Sequence, residues 1–135
     1  MALLENQLIV KESALPFSGK GLFTEIFIPK GTRIIEYRGK ITTWKDVDHK
    51  DGTNSYIYFV SKKHVIDGFP FENEKGRFVN DARGFTRIKG ITNNCQYVED
   101  GLKIFIESKK NIPAGSELLV DYGKEYWNVM KSNAK

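Results

Sequence analysis

Gly115-Ser116-Glu117-Leu118-Leu119-Val120-Asp121-Tyr122-Gly123 lies near the end of the chain and carries three apolar residues in unbroken succession. Leu118-Leu119-Val120 reads as a strand covered on both faces. The run stops abruptly at Asp121-Tyr122-Gly123, where a glycine without a Cβ permits a sharp turn. A tyrosine at the lip of a buried strand has its ring packed and its hydroxyl free to reach a site. An ordinary core tyrosine with a satisfied hydroxyl is the alternative that this stretch alone leaves open.

Working back from it, Ile112-Pro113-Ala114-Gly115 is a turn leading in. Cys95-Gln96-Tyr97-Val98 and Lys103-Ile104-Phe105-Ile106-Glu107 flank Glu99-Asp100-Gly101 as a hairpin. Tyr56, Tyr58 and Val60 alternate in a strand, and His64-Val65-Ile66-Asp67 returns as its partner. Ile34-Ile35-Glu36-Tyr37-Arg38-Gly39-Lys40-Ile41 reads as one strand with a glycine inside it, the mark of a bulge or a close backbone. Ser18-Gly19-Lys20-Gly21-Leu22-Phe23 reads as a glycine-rich turn, with Phe23, Ile26 and Ile28 on the next strand. Leu8-Ile9-Val10 opens the first strand, and residues 125–131 form a short terminal helix. Many short strands, few helices and no repeat make the fold class mostly β, antiparallel, with α minor.

A chain of 135 residues is expected to form a single domain, 1–135, with its core at about 8–127. One cysteine, Cys95, excludes an intramolecular disulfide and a cysteine-cluster zinc site. His49 and His64 stand alone, so no metal is expected. No run has the apolar length of a membrane span, and the first residues lack the basic-then-apolar pattern of a signal peptide. An intracellular location, cytoplasm or nucleus, is the expectation. The net charge of +4 would suit nucleic acid, but the lysines are scattered and only Lys62-Lys63 and Lys109-Lys110 adjoin.

Four stretches resemble those of the SET-domain protein lysine methyltransferases. Gly19-Lys20-Gly21-Leu22-Phe23 looks like the family's early Gly-x-Gly, and Glu36-Tyr37-Arg38-Gly39 its Tyr-x-Gly. Arg77-Phe78-Val79-Asn80 matches its Arg-Phe-x-Asn, and Glu117 to Gly123 resembles Glu-Leu-Thr-x-Asp-Tyr-Gly. The family's Asn-His-Ser-Cys stands here as Asn80-Asp81-Ala82-Arg83, a pattern similar to its PR-type branch. The resemblance implies several small curved antiparallel sheets, a pseudoknot-like C-terminal threading and a short C-terminal helix. It also implies an enzyme that transfers a methyl group from S-adenosyl-L-methionine to a lysine of a histone or other basic protein or peptide. Nucleic acid and membrane are not implied partners.

By the same resemblance the cofactor is held by Gly19, Lys20, Gly21, Leu22, Tyr37, Arg77, Asn80, Asp81 and Trp127. The substrate channel is formed by Tyr37, Tyr97, Val120 and Tyr122, with Tyr122 catalytic. Tyr97, beside a small Val120, would restrict the product to the monomethyl state. Transfer to an amine needs a neutral nucleophile, whereas free lysine has a pKa of about 10.4. An aromatic channel that desolvates the cation moves this equilibrium toward the amine. A phenol with an ordinary pKa near 10 is a poor base at neutral pH, so Tyr122 is read as positioning the amine. The competing readings are a SET-like interaction module without catalysis, motivated by Asp81, and a small basic β-domain that binds nucleic acid.

Overall fold

A computed structural model of the chain describes residues 3–15, 19–48, 56–82 and 90–122. Among the described residues nine strands form three antiparallel sheets of three strands each. In the first, β1 (Leu8–Glu12) and β2 (Lys20–Thr24) pair from Leu8↔Thr24 to Glu12↔Lys20. The far side of β2 takes β9 (Glu117–Leu118) through Leu22↔Leu118 and Phe23↔Glu117. The second sheet has the order β3 (Arg33–Glu36), β8 (Lys103–Ser108), β7 (Cys95–Asp100). The third has the order β4 (Lys40–Thr42), β6 (His64–Asp67), β5 (Ile57–Ser61). Short 3-10 turns cover Glu5–Gln7 and Lys75–Phe78.

The strand expected across Ile34 to Ile41 is two strands in different sheets. β3 pairs with β8 and β4 with β6, so the chain changes sheets at Tyr37-Arg38-Gly39. Gly39 permits this close approach, since a Cβ there would stand 2.5 Å from the Asp67 carbonyl oxygen. The glycine-rich turn is also shorter than expected. Gly19 alone has a left-handed backbone (φ 65°), while Lys20, Gly21, Leu22 and Phe23 are already strand. That strand ends at Thr24, whose hydroxyl donates to the Ile26 carbonyl at 2.8 Å and accepts from the Ile26 N–H at 3.2 Å. This local turn draws the chain away from the ladder, leaving Ile26 and Phe27 exposed. Ile28 rejoins through an isolated bridge to Ile112.

The main core gathers Leu8, Leu22, Ile34, Ile106, Leu118 and Val120 from the first two sheets and the final stretch. A second cluster of Tyr37, Ile66 and Ile104 joins the second and third sheets. Leu119 and Val120 leave the ladder to make single parallel bridges with Asn80 and Cys95. The final stretch therefore runs between the segment after the 3-10 turn and the start of β7. The expected terminal helix at 125–131 lies outside the described residues. The expected pseudoknot-like threading involves Gly123, which also lies outside them.

Candidate functional site

The cavity at the meeting of these segments is lined by Tyr37, Tyr56, Ile57, Tyr58, Arg77, Val79, Tyr97 and Tyr122. Its volume is about 40 Å³, room for a few waters or for the end of a slender alkyl amine. Five of the chain's six tyrosines converge here, a concentration that ordinary core packing does not demand. Tyr97 stands edge-on to Tyr37 and Tyr58, with ring centroids 6.0 and 5.1 Å apart. Such edge-to-face packing fixes the rings and presents their electron-rich faces.

The hydroxyls are committed in a consistent way. Tyr37 donates to the Tyr56 carbonyl and Tyr122 donates to the Val79 carbonyl. Each phenol oxygen so engaged keeps acceptor capacity for a ligand N–H. Tyr58 donates to Glu99 at 3.4 Å, and burial, followed by the nearby Glu99 charge, pushes its hydroxyl up to about 12. Tyr122 is thus a packed tyrosine with a satisfied hydroxyl and, at the same time, part of the cavity wall.

Arg77 spans the cavity's other side. Its Nη1 donates to the Gly68 and Phe69 carbonyls at 3.0 and 2.7 Å, and its guanidinium lies 4.3 Å from the Tyr56 ring centroid. Its buried Nε has no hydrogen-bond partner. A buried orphan donor is costly, so an acceptor on a bound ligand is favoured there.

Asn80 touches the glycine-rich segment directly, its Nδ2 donating to the Lys20 carbonyl at 3.1 Å and to Glu117 Oε2 at 3.3 Å. Its Oδ1 accepts no hydrogen bond from a described residue. Glu117, a buried carboxylate, also accepts from the Ser13 hydroxyl at 2.7 Å and the Ala14 N–H at 3.0 Å. A Cβ at Gly21 would lie 2.2 Å from Glu117 Oε2. The second glycine of the motif therefore has a structural reason of its own, room for the carboxylate that anchors residues 13–15.

Asp81 is 4% exposed, and its carboxylate accepts from the Tyr122 N–H at 2.8 Å and from Asn93 Nδ2 at 2.9 Å. Asn94 pins the neighbouring backbone, donating to the Glu117 carbonyl at 2.9 Å and accepting from the Leu119 N–H at 2.8 Å. Gly19, Lys20, Gly21 and Asn80 are thus brought together, and Tyr37, Arg77, Tyr97 and Tyr122 share the cavity. Two expected site residues have fully buried side chains. Leu22 is fully buried between β1 and β9 and offers no side-chain surface to a ligand. Val120 is fully buried behind the cavity wall, in the cluster against which Tyr97 and Tyr122 pack. Trp127 lies outside the described residues. Sequence reasoning passed over Tyr56 and Tyr58 as wall residues, although their alternation placed both on one face of a strand. It also missed the Asn93-Asn94 clasp, whose only signal was a polar pair set against a buried run.

Among the described residues no cluster of three or more His, Cys, Asp or Glu could hold a metal ion, and no helix is long and apolar enough to cross a membrane. Fold and cavity together define a domain of small sheets with an aromatic recess, suited to an amine or a cation. The chain belongs to the SET-domain family, whose model matches residues 19–123.

It is 34% identical over 120 residues to histone-lysine N-methyltransferase set-17 of Caenorhabditis elegans, covering 88% of this chain and 42% of that one. It is 26% identical over 125 residues to histone-lysine N-methyltransferase set-1 of the same organism, covering 85% and 50%. The chain thus spans half or less of the length of these two relatives. The methyltransferase domain of human PR domain-containing protein 2 has the same fold, with a TM-score of 0.66 and 25% identity over 89% of this chain and 79% of that one.

Proposed function

We propose that the chain is an S-adenosyl-L-methionine-dependent methyltransferase acting on a lysine side-chain amine of a histone or another basic protein. The observation that carries this reading is the convergence of five tyrosines on one small cavity, with Tyr122 on the wall. Two of the relatives are named histone-lysine N-methyltransferases, which supports the same reading and favours a nuclear or cytoplasmic setting.

The residues present fit the cofactor. The unpartnered Arg77 Nε suits a carboxylate, and the free Oδ1 of Asn80 suits an ammonium group. The backbone of Gly19-Lys20-Gly21 lies against Asn80 and completes the same side of the site. When bound, the cofactor supplies a methyl group on a sulfonium, an activated leaving group that calls for no metal.

The chain's own residues supply the rest. The aromatic walls desolvate an entering ammonium and favour the neutral amine. Tyr37 and Tyr122, whose protons are committed to backbone carbonyls, offer oxygen lone pairs that orient the amine's N–H groups. Tyr97, edge-on to two other rings, narrows the space beside the amine and limits the methyl groups added. Positioning of this kind replaces a search over orientations with a fixed near-attack geometry.

The test is calorimetric titration of the protein with S-adenosyl-L-methionine, followed by incubation of labelled cofactor with mixed histones and other basic proteins. Binding with label transferred to lysine is expected. Binding without transfer would instead favour an interaction module, and absence of binding would overturn the reading. Tyr122→Phe, which removes the hydroxyl but keeps the ring, should retain cofactor affinity and lower turnover at least about tenfold, roughly 1.4 kcal/mol of transition-state stabilisation. Unchanged turnover at saturating peptide would remove Tyr122 from the chemistry.

A further inference from the structure

We propose that Asp81 is a positioning residue, whose carboxylate sets the place of Tyr122 on the cavity wall. The catalytic consequence rests on the methyl-transfer reading of that cavity; the placement itself does not.

After Val120 the final stretch has no strand partner among the described residues, so side-chain and single backbone contacts place Tyr122, whose ring packs against the main core. Val120 N–H donates to the Asn80 carbonyl at 2.8 Å, Tyr122 N–H donates to Asp81 Oδ2 at 2.8 Å, and the Tyr122 hydroxyl reaches the Val79 carbonyl. Of these three, the Asp81 contact holds the backbone of the tyrosine itself.

The chemistry at position 81 is narrowly specified. Asn93 Oδ1 accepts from the Ala82 N–H at 2.8 Å, which fixes the amide's orientation and turns Nδ2 toward Asp81 Oδ1 at 2.9 Å. Two of the donors that Asp81 meets are thus fixed in place, the Asn93 amide and the Tyr122 N–H. A carboxylate meets both with acceptors. An amide or a neutral imidazole has one acceptor and one donor, and in this place it would set a donor against a donor. At 4% exposure little solvent is at hand to relieve that conflict. The aspartate where the family pattern has histidine is thus the residue type that this buried clasp requires.

The substitution D81N keeps size and backbone while introducing the conflict. The double variant D81N/N93D exchanges amide and carboxylate and restores the pattern. Its position-81 oxygen accepts from Tyr122, its position-81 amide donates to the new carboxylate, and that carboxylate accepts from Ala82.

Protein carrying isotope-labelled tyrosine is followed by NMR, and the same preparations are assayed with saturating cofactor and peptide. In D81N the Tyr122 amide and ring resonances are expected to move, while those of Tyr37 and Tyr58 on the opposite wall stay. Turnover is expected to fall at least about tenfold and to recover in D81N/N93D. A folded D81N with Tyr122 resonances unmoved, or with shifts spread equally over the other tyrosines, overturns the proposal. Full turnover in D81N also overturns it. If D81N does not fold, the double variant decides: native Tyr122 resonances support the proposal, and displaced resonances or an unfolded chain overturn it. If the wild type transfers no methyl group, the functional reading fails and the resonances alone decide the placement.

Discussion

Tyr58 has its hydroxyl beside Glu99 and pushed up to about 12, first by burial and then by the neighbouring charge. The folded state thus holds this proton more tightly than the unfolded chain, where a phenol ionises near pH 10. Its contribution to stability is complete below about pH 10 and is lost as the pH rises through about 12. The stability difference between wild type and Tyr58→Phe should therefore be constant up to about pH 10 and change only above it. Chemical unfolding of both proteins across that range measures it, together with the loss of one late-ionising tyrosine from the ultraviolet titration. A difference independent of pH would mean that Tyr58 ionises as it does in the unfolded chain. The prominence of Tyr122 could be read from the chain, because an apolar run stops at a tyrosine. Tyr56 and Tyr58 could be placed on a strand but not on a cavity, since alternation fixes a face and not what the face meets. For Leu22 and Val120 the chain named positions but not burial: side-chain direction depends on the sheets that sandwich it.

At the scale of elements, hairpins were the legible part. β7 with β8 and β5 with β6 each carry their turn residues between two apolar runs. The break between β3 and β4 was not legible, because each half has strand composition and only tertiary pairing assigns them to different sheets. Gly39 sits at that change, with the Asp67 carbonyl oxygen 2.5 Å from where a Cβ would be. Gly101 has open space about it but a left-handed backbone, φ 63°. The two glycines should respond differently to alanine. Gly101→Ala is expected to lose about 1 kcal/mol, from backbone strain alone. Gly39→Ala must push β4 off β6 and should lose more than about 2 kcal/mol. Urea unfolding of both variants gives the comparison; equal losses would show that the sheets yield at Gly39 without penalty.

Across the whole molecule, the three sheets close on each other through pairings distant in sequence, such as Leu22↔Leu118 and Arg33↔Glu107. No local pattern in the chain encodes these pairings. Their arrangement was accessible only through resemblance to a family. The same closure brings the glycine-rich segment, Asn80 and Glu117 together, so a ligand held there bridges segments that would separate on unfolding. Cofactor binding should therefore stabilise the entire fold. At a free concentration one hundred times its dissociation constant, the cofactor adds about 2.7 kcal/mol. For a chain of this size that raises Tm by roughly 10 °C. Asn80→Ala loses the donor to the Lys20 carbonyl and the acceptor offered to the ligand, so its starting Tm should fall as well. The informative quantity is thus the shift on adding cofactor rather than the Tm itself. Differential scanning calorimetry of both proteins, with and without cofactor, should show the shift in wild type and little or none in Asn80→Ala. A shift of equal size in the variant would move cofactor binding away from Asn80, and with it the seam between the glycine-rich segment and the final strand.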